Sequence, residues 1–255
     1  MNESLMNEGR TLSAILDIGE MLLRSGAEVM RVEDTISRLC SAYGFLRADV
    51  FSITSSIILT VHLPDGNVMT QTRRVRDRST DLGMVAQLNN LSRKACEEKL
   101  SLLELQEETK KISERKPLPL SVSLICYAVI SAAFSIFFGG NGRDSLTAAI
   151  SGIVLCLSIG LLNKVRINIV IENMLCSAIT AFAVSLLVKA GIGMHPDKII
   201  IGNIMLLIPG IQLTTSLRDI FNGDMIAGLL GLSEAVLKAL AIALGFAFVL
   251  IGMGG

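Results

Sequence analysis

The chain has 255 residues, 51% of them hydrophobic, and its 23 Lys and Arg balance 23 Asp and Glu to a formal net charge of zero. A neutral chain argues against nucleic-acid binding, which normally requires a basic surface. The charges are unevenly distributed, with 16 basic and 17 acidic residues up to position 118 and only 7 and 6 after it. We therefore predict a soluble domain over residues 1–118 and a membrane domain over residues 119–255.

Neither the cysteines nor the N-terminus indicates a secreted or metal-binding protein. No two cysteines form a C-x-x-C pair, and only two histidines are available as imidazole ligands. We interpret the cysteines as small buried side chains and expect no disulfide, metal or other cofactor. The first twenty residues lack the apolar core of a signal peptide, so the N-terminal domain is expected to be cytoplasmic.

Residues 1–118 are predicted to form a small α+β domain with the element order ααββα, which ends in a long juxtamembrane helix. Helical spacing and strict alternation of apolar residues predict two helices, two strands and a last helix over residues 10–24, 28–42, 51–63, 68–75 and from 81 onward. The pattern Ser25-x-x-Glu28 resembles a capping box for the second helix.

Two charged clusters in this domain have alternative interpretations. The beginning of the second helix carries a dense motif that contains Gly26, Glu28, Arg31, Glu33 and Asp34. Its spacing fits either a solvated helix face or a functional surface. The basic run at residues 73–78 fits either a solvated strand end or contact with lipid head groups or an anionic substrate. The chain has no P-loop, G-x-S-x-G or G-x-G-x-x-G motif, so we do not expect an enzyme.

The membrane domain is predicted to contain about five transmembrane helices, since a helix needs roughly 20 apolar residues to cross a bilayer. They are placed at 119–138, 145–163, 168–188, 198–217 and 225–252. Lys and Arg are more frequent in the loops on the side of the N-terminus, such as those with Lys164, Arg166 and Arg218. This bias predicts that the N-terminus is inside the cell and the C-terminus outside. Small residues recur every fourth position over 227–247, which fits either packing inside one bundle or a seam for a second polypeptide.

The fourth predicted span carries Pro209-Gly210 near its middle. Proline removes one N–H and clashes with the preceding turn, so the helix should kink or break there. Broken helices at membrane depth occur in transporters, where freed backbone groups hold ions or substrates. A purely structural kink is the alternative, and the polar neighbours Asn203 and Gln212 favour the functional one.

Ionisable residues mark further candidate positions. Glu234 lies inside the fifth span with Lys238 one turn later, and Glu172 lies near the beginning of the third span, followed by Asn173. Such residues are costly in a membrane and often mark a pathway, although Glu234 and Lys238 also fit a structural pair. The loop between the fourth and fifth spans fits either a capped turn or a cytoplasmic gate, through Arg218, Asp219, Asn222 and Asp224.

Two segments resemble the motifs of the threonine/serine exporter (ThrE) family. They are LLRSGAEVMRVEDTI at residues 22–36, and Pro209-Gly210 followed by SLRDI at 216–220 and NGD at 222–224. The resemblance implies five spans behind a soluble domain and secondary export of small polar acids, threonine and serine in some members and succinate in others. Longer members carry further spans in the same chain, so this chain, ending at Gly255, is expected to be the larger subunit of the split form. Its expected partner is a small multi-span membrane protein.

Two hypotheses from different classes follow. The first is a subunit of a secondary exporter in the inner membrane, in which the broken fourth span and the carboxylates Glu172 and Glu234 form the pathway and Arg218 with Asp219 forms an inner gate. The second is a membrane-anchored sensor or scaffold, in which the soluble domain binds a ligand and the spans only anchor it. Five closely packed spans with internal charge are more than anchoring requires.

Overall fold

The computed structural model describes residues 2–76, 78–165 and 167–253, with side chains from residue 5 onward. Asp77 of the basic run and Arg166 of the second predicted loop lie outside the described residues. The strands of these residues are β1 (Arg47–Ile53), β2 (Ser56–His62) and β3 (Val68–Arg74). The helices are α1 (Asn2–Arg24), α2 (Val29–Ala42), α3 (Leu82–Glu98), α4 (Leu102–Ser113), α5 (Leu120–Phe137), α6 (Gly142–Leu162), α7 (Ile169–Lys189), α8 (Pro196–Leu207), α9 (Gly210–Phe221) and α10 (Met225–Gly252).

The described residues divide into two compact units. The first contains the residues up to Lys116 together with Gly210–Ser233, and the second contains Pro117–Pro209 together with the residues from Glu234 onward. The predicted domain boundary at residue 118 stays a prediction. In the observed division, α9 and the beginning of α10 group with the N-terminal residues rather than with the apolar helices.

The sheet of the first unit is an antiparallel meander in the order β1-β2-β3. The single strand predicted from Phe51 to Leu63 is wrong, because a two-residue turn at Thr54-Ser55 divides it into β1 and β2. Opposed residues share a face, so the turn exchanges which positions face the core. Ile57 is fully buried, whereas Phe51 lies on the outer face with half of its surface exposed.

The helices of the first unit also differ from the prediction. Lys99 has a left-handed conformation with φ of 51°, and Ser101 forms a capping box with Glu104. These features end α3 and begin α4, so the predicted long helix is two helices and the element order is ααβββαα. The predicted capping box at Ser25 is also wrong, because Glu28 is the N-cap residue of α2 and its side chain makes no capping hydrogen bond.

The core of the first unit lies between α1, α2, α3 and the inner face of the sheet. Apolar side chains from these elements are completely buried, including Leu16 of α1, Ile36 of α2, Leu59 of β2 and Leu88 of α3. This burial fixes the orientation of α2, so its remaining faces are free to carry the charged motif at residues 28–34.

Within the described residues, four helices, α5, α6, α7 and α10, are long and apolar enough to cross a membrane. The pair of α8 and α9 adds a fifth span if the two interrupted helices are counted as one. The break predicted at Pro209-Gly210 is present: α8 ends at Leu207, Ile208 is non-helical with ψ of 127°, and α9 begins at Gly210. A fixed proline φ and a missing N–H account for the interruption. The core of the second unit joins α6, α7, α8 and α10 through Ala148, Val184, Ile199 and Phe246.

Candidate functional site

The beginning of α2 is completed by a carboxylate from a distant part of the chain. The Oδ1 atom of Asp219, which is buried, accepts a hydrogen bond of 3.2 Å from the N–H of Val29, 190 residues earlier. The first N–H groups of a helix have no partner within the helix, and a negative charge is favoured at that end. Asp219 therefore caps the beginning of α2, since the side chain of the N-cap residue Glu28 makes no capping hydrogen bond.

A second interaction lies beside the first. The guanidinium group of Arg218 pairs with the carboxylate of Glu28, which is mostly buried. We name these two interactions, made by Glu28 and Val29 with Arg218 and Asp219, the α2–α9 contact. It brings together residues from the two motifs that the sequence presents separately, and Arg218 does meet a carboxylate.

Close packing positions α9 for this contact. A Cβ atom placed on Gly228 would lie 2.7 Å from the carbonyl oxygen of Ser216, so α10 approaches α9 at a distance that only glycine allows. The Nε2 atom of Gln212 also donates to the carbonyl oxygen of Gly231 at 3.3 Å. The predicted Asn222-Gly223 turn is present, with Gly223 at φ of 99°. The turn orders the exposed Asn222 and the half-buried Asp224 between α9 and α10.

Glu33 adds a further carboxylate near this contact. Its Oε1 atom accepts hydrogen bonds from the backbone N–H and the hydroxyl of Ser52, at 2.7 and 2.9 Å. Burial raises the pKa of Glu33, the bonds from Ser52 oppose the rise, and the nearby charge of Asp224 adds to it. Arg31 and Asp34, from the same motif, instead lie on an exposed face of α2, where Asp34 pairs with Arg38.

The second unit contains a buried amide four residues before α8 ends. Asn203 is fully buried and accepts a hydrogen bond from Ser131 of α5 at 3.1 Å. Its amide nitrogen donates to Ser151 of α6 at 2.8 Å and to the carbonyl oxygen of Ile199 at 2.9 Å. One predicted pathway residue thus connects three helices about one turn before α8 ends.

The two candidate carboxylates of the second unit have different surroundings. Glu172 of α7 is 7% exposed, and among the described residues its side chain makes no hydrogen bond or ion pair. The half-buried Asn173 follows it. Glu234 lies 3.8 Å from Lys238, with 37% of its side chain exposed, so the predicted i,i+4 pair is present. An unpaired buried carboxylate is the less stable arrangement, which distinguishes Glu172 as the unusual one.

Comparison with known proteins agrees with this architecture. The family model described as a putative threonine/serine exporter matches residues 13–252. The chain belongs to the threonine/serine exporter family. It is therefore a membrane protein of an exporter family rather than a member of an enzyme family. No solved structure matches.

The curated relatives of this family differ in length. A probable threonine/serine exporter of Mycobacterium tuberculosis is 24% identical over 247 residues, which are 96% of this chain and 46% of that protein. The chain thus spans about half the length of that relative. Proteins named probable succinate transporter subunit YjjP are each 27% identical: the one from Klebsiella aerogenes covers 88% of this chain and 86% of its own length, and the one from Escherichia coli covers 90% of each.

One cluster in the second unit was not predicted from the sequence of this family member. Asp144 of α6 is completely buried and accepts hydrogen bonds from the N–H groups of Met194 and His195, at 2.7 and 2.9 Å, and lies 2.7 Å from Nδ1 of His195. The Asp144 carboxylate also accepts a hydrogen bond from the N–H of Asn141. One carboxylate therefore bonds to the residues that begin both α6 and α8. The Asn141-x-x-Asp144 spacing is the capping pattern that indicates it.

Within residues 2–76, 78–165 and 167–253, no group of three or more His, Cys, Asp or Glu is placed so as to hold a metal ion. The described clusters combine single carboxylates with backbone N–H groups or with an arginine, an arrangement that positions the ends of helices.

Proposed function

We propose that the chain is a subunit of a secondary exporter in the inner membrane that moves small polar acids out of the cell. The substrate class is threonine and serine, or dicarboxylates such as succinate. Membership of the exporter family and the names of the relatives support this proposal. Two relatives that match almost end to end are named as subunits, so a second, small multi-span membrane protein is the proposed partner.

The observation that carries the proposal is the interruption between α8 and α9 beside the buried Asn203. The last carbonyl groups of α8 have no continuing helix to bond to, and such groups recur as ligands for ions and polar solutes in transporters. Asn203 holds this end of α8 against α5 and α6, so Asn203 and Pro209 are proposed to line the binding region within the second unit.

Glu172 is the carboxylate we favour for the pathway, ahead of Glu234. A buried, unpaired carboxylate is costly and is retained where it binds a proton or a cationic group. Within the second unit, a short loop joins α7 to α8, and α8 runs antiparallel to α7. The C-terminal end of α8 and the beginning of α7, which carries Glu172, therefore lie toward the same end of the unit. Glu234 keeps the partner Lys238 and remains the second candidate.

Orientation and gating complete the proposal. The excess of Lys and Arg on one side favours a cytoplasmic N-terminus and an external C-terminus. Arg218 and Asp219, with Asn222 and Asp224, are proposed to act as the inner gate, since the α2–α9 contact gives that segment a defined position that opening would have to break.

The test is efflux from cells loaded with threonine, serine or succinate, with the chain expressed alone and beside the small membrane partner. We expect efflux only with both proteins, and we expect Glu172→Gln to lower the rate at least tenfold, equivalent to about 1.4 kcal/mol of lost stabilisation. Glu234→Gln is the matched control with a smaller loss. If all three solutes stay in the cell although both proteins are in the membrane, the export function is wrong.

A further inference from the structure

Polar side chains line the contact between α5, α6 and α8 at three successive levels of the second unit. At the innermost level, Asn203 of α8 bonds to Ser131 of α5 at 3.1 Å and to Ser151 of α6 at 2.8 Å. Each helix contributes a further polar residue one or two turns nearer to the end at which α6 and α8 begin. We name the whole set the polar seam, and its members are Ser131, Ser135, Thr147, Ser151, Asn203, Asp144 and His195.

The polar seam is buried along nearly its whole length. All of its members except His195 are completely buried. Asp144 and Ser151 are seven residues apart on α6, which corresponds to roughly 10 Å along the helix axis. Polar groups are costly inside a membrane protein, and they are retained where they find partners or line a pathway. The seam thus connects the end of the unit with Asn203 through polar groups.

One hydroxyl group in the seam has unused hydrogen-bonding capacity. Among the described residues, the buried Oγ atom of Ser135 has no hydrogen-bond partner. The hydroxyls of Thr147 and Ser151 instead donate to the carbonyl oxygen one turn earlier on α6, at 2.8 and 2.9 Å. Such bonds are the usual way in which a hydroxyl is satisfied within a helix. A polar group inside the seam would satisfy Ser135 and offset the cost of its burial.

Glycines face the hydroxyl groups of the middle level. A Cβ atom placed on Gly140 would lie 2.8 Å from Oγ of Ser135, and one placed on Gly193 would lie 3.0 Å from Oγ1 of Thr147. Small residues at a contact let backbones approach closely, without interlocked large side chains. Opening the seam at these points therefore requires the backbones to separate but does not require large side chains to repack.

The Asp144–His195 pair lies at the end of the seam that the proposed orientation places outside the cell. The side chain of Asp144 is fully buried, whereas 52% of the side chain of His195 is exposed. Nδ1 of His195 lies 2.7 Å from Oδ2 of Asp144, and the N–H groups of Met194 and His195 donate to Oδ1. The imidazole of His195 therefore covers the last buried polar group of the seam.

We propose that the polar seam is the outer half of the passage for a small polar acid, and that the Asp144–His195 pair is its outer closure. Hydroxyl and amide groups suit such a solute, because they both donate and accept hydrogen bonds. The inference rests on the proposed export function, and it extends the binding region at Asn203 toward the outside of the cell.

The test is labelling of intact cells from outside with a membrane-impermeant, cationic methanethiosulfonate, with the chain expressed beside the small membrane partner. Ser135→Cys places a thiol in the seam. Ile136→Cys is the matched control, because it is the next residue of α5 and is 56% exposed rather than buried in the seam. Gly142→Cys, with open space around it, reports access to the outer end. All variants carry Cys126→Ser, which removes the exposed cysteine of α5, and mass spectrometry measures the labelled peptide.

We expect Ser135→Cys and Gly142→Cys to be labelled, and Ile136→Cys to be labelled at least tenfold more slowly than Ser135→Cys. His195→Ala removes the side-chain bond to Asp144 but keeps both backbone N–H donors, so the fold is retained. His195→Ala should therefore speed the labelling of Ser135→Cys at least tenfold and leave the labelling of Gly142→Cys unchanged.

Four results would overturn the proposal. If Gly142→Cys reacts but Ser135→Cys does not, with or without His195→Ala, the seam is a closed structural contact. If Ile136→Cys reacts as fast as Ser135→Cys, access does not follow the seam. If Gly142→Cys does not react from outside, the outer position of this end is wrong. If His195→Ala leaves the labelling of Ser135→Cys unchanged, the pair is not the closure.

Efflux in the same cells separates this proposal from the export function. Labelling of Ser135→Cys without efflux of threonine, serine or succinate supports the seam and counts only against the export function. Efflux that continues while Ser135→Cys stays unlabelled counts only against the seam.

Discussion

The α2–α9 contact makes a quantitative prediction for Asp219→Ala. The substitution removes the acceptor of the Val29 N–H, which is buried at the beginning of α2. Loss of a helix cap costs about 0.5–2 kcal/mol. The site is buried and its natural N-cap residue makes no side-chain bond, so we expect a value near the upper end.

A cost of about 2 kcal/mol corresponds to a roughly 30-fold rise in the population of the locally opened first turn of α2. Asp219→Asn is the matched control, because its amide oxygen still accepts the hydrogen bond and only the charge is lost. A charge near a helix N-terminus is worth about 0.3–1 kcal/mol, so the amide should raise opening only about two- to fivefold.

The assay is hydrogen exchange of the α2 amides from Val29 to Val32 in the full chain, with the later turns of α2 as an internal reference. A second variant, Asp219→Ala with Glu28→Asp, places a short carboxylate at the N-cap position. Aspartate is among the preferred N-cap residues, so the double variant should regain most of the protection of α2.

Equal exchange in the wild type and in Asp219→Ala would refute the capping role. If the double variant regains protection of α2 and efflux as well, Asp219 only caps the helix. If it regains protection without efflux, the connection between α9 and α2 is itself required, as the proposed gate demands.

Three further predictions concern stability. Gly228→Ala should cost about 1–3 kcal/mol, seen as a lower Tm, because the added methyl group meets the backbone of α9. Gly160→Ala, with open space around the glycine, should be neutral or stabilising. Equal shifts of Tm in the two variants would contradict the close packing of α9 and α10. The pKa of Glu33 is raised, so the contribution of Glu33 to stability is complete below its ordinary pKa of 4.5 and is lost as pH rises through the raised pKa. Glu33→Gln should therefore flatten the dependence of Tm on pH in that window. An unchanged dependence of Tm on pH in the variant would contradict this expectation. Asp144→Ala should cost about 1–3 kcal/mol, because the N–H groups of Met194 and His195 lose their buried acceptor, while the exposed Asp197→Ala should change Tm little.

The sequence by itself determined the membrane half in outline. Apolar runs predicted the helices now seen as α5, α6, α7 and α10, because a span must satisfy its backbone internally and carry about 20 apolar residues, both of which are local properties. The break at Pro209 is local in the same sense, since the proline ring acts on its own turn. Even here, packing decided that α9 groups with the N-terminal residues.

Tertiary structure alone decided the rest. A two-residue turn moved Phe51 to the outer face of the sheet, although the alternation continued through it unchanged. Nothing local pairs Val29 with Asp219 across 190 residues, or His195 with Asp144. Those partners meet only after the helices pack. The N–H groups at the beginning of a helix without a side-chain cap can donate to a carboxylate from any part of the chain that packing places beside them.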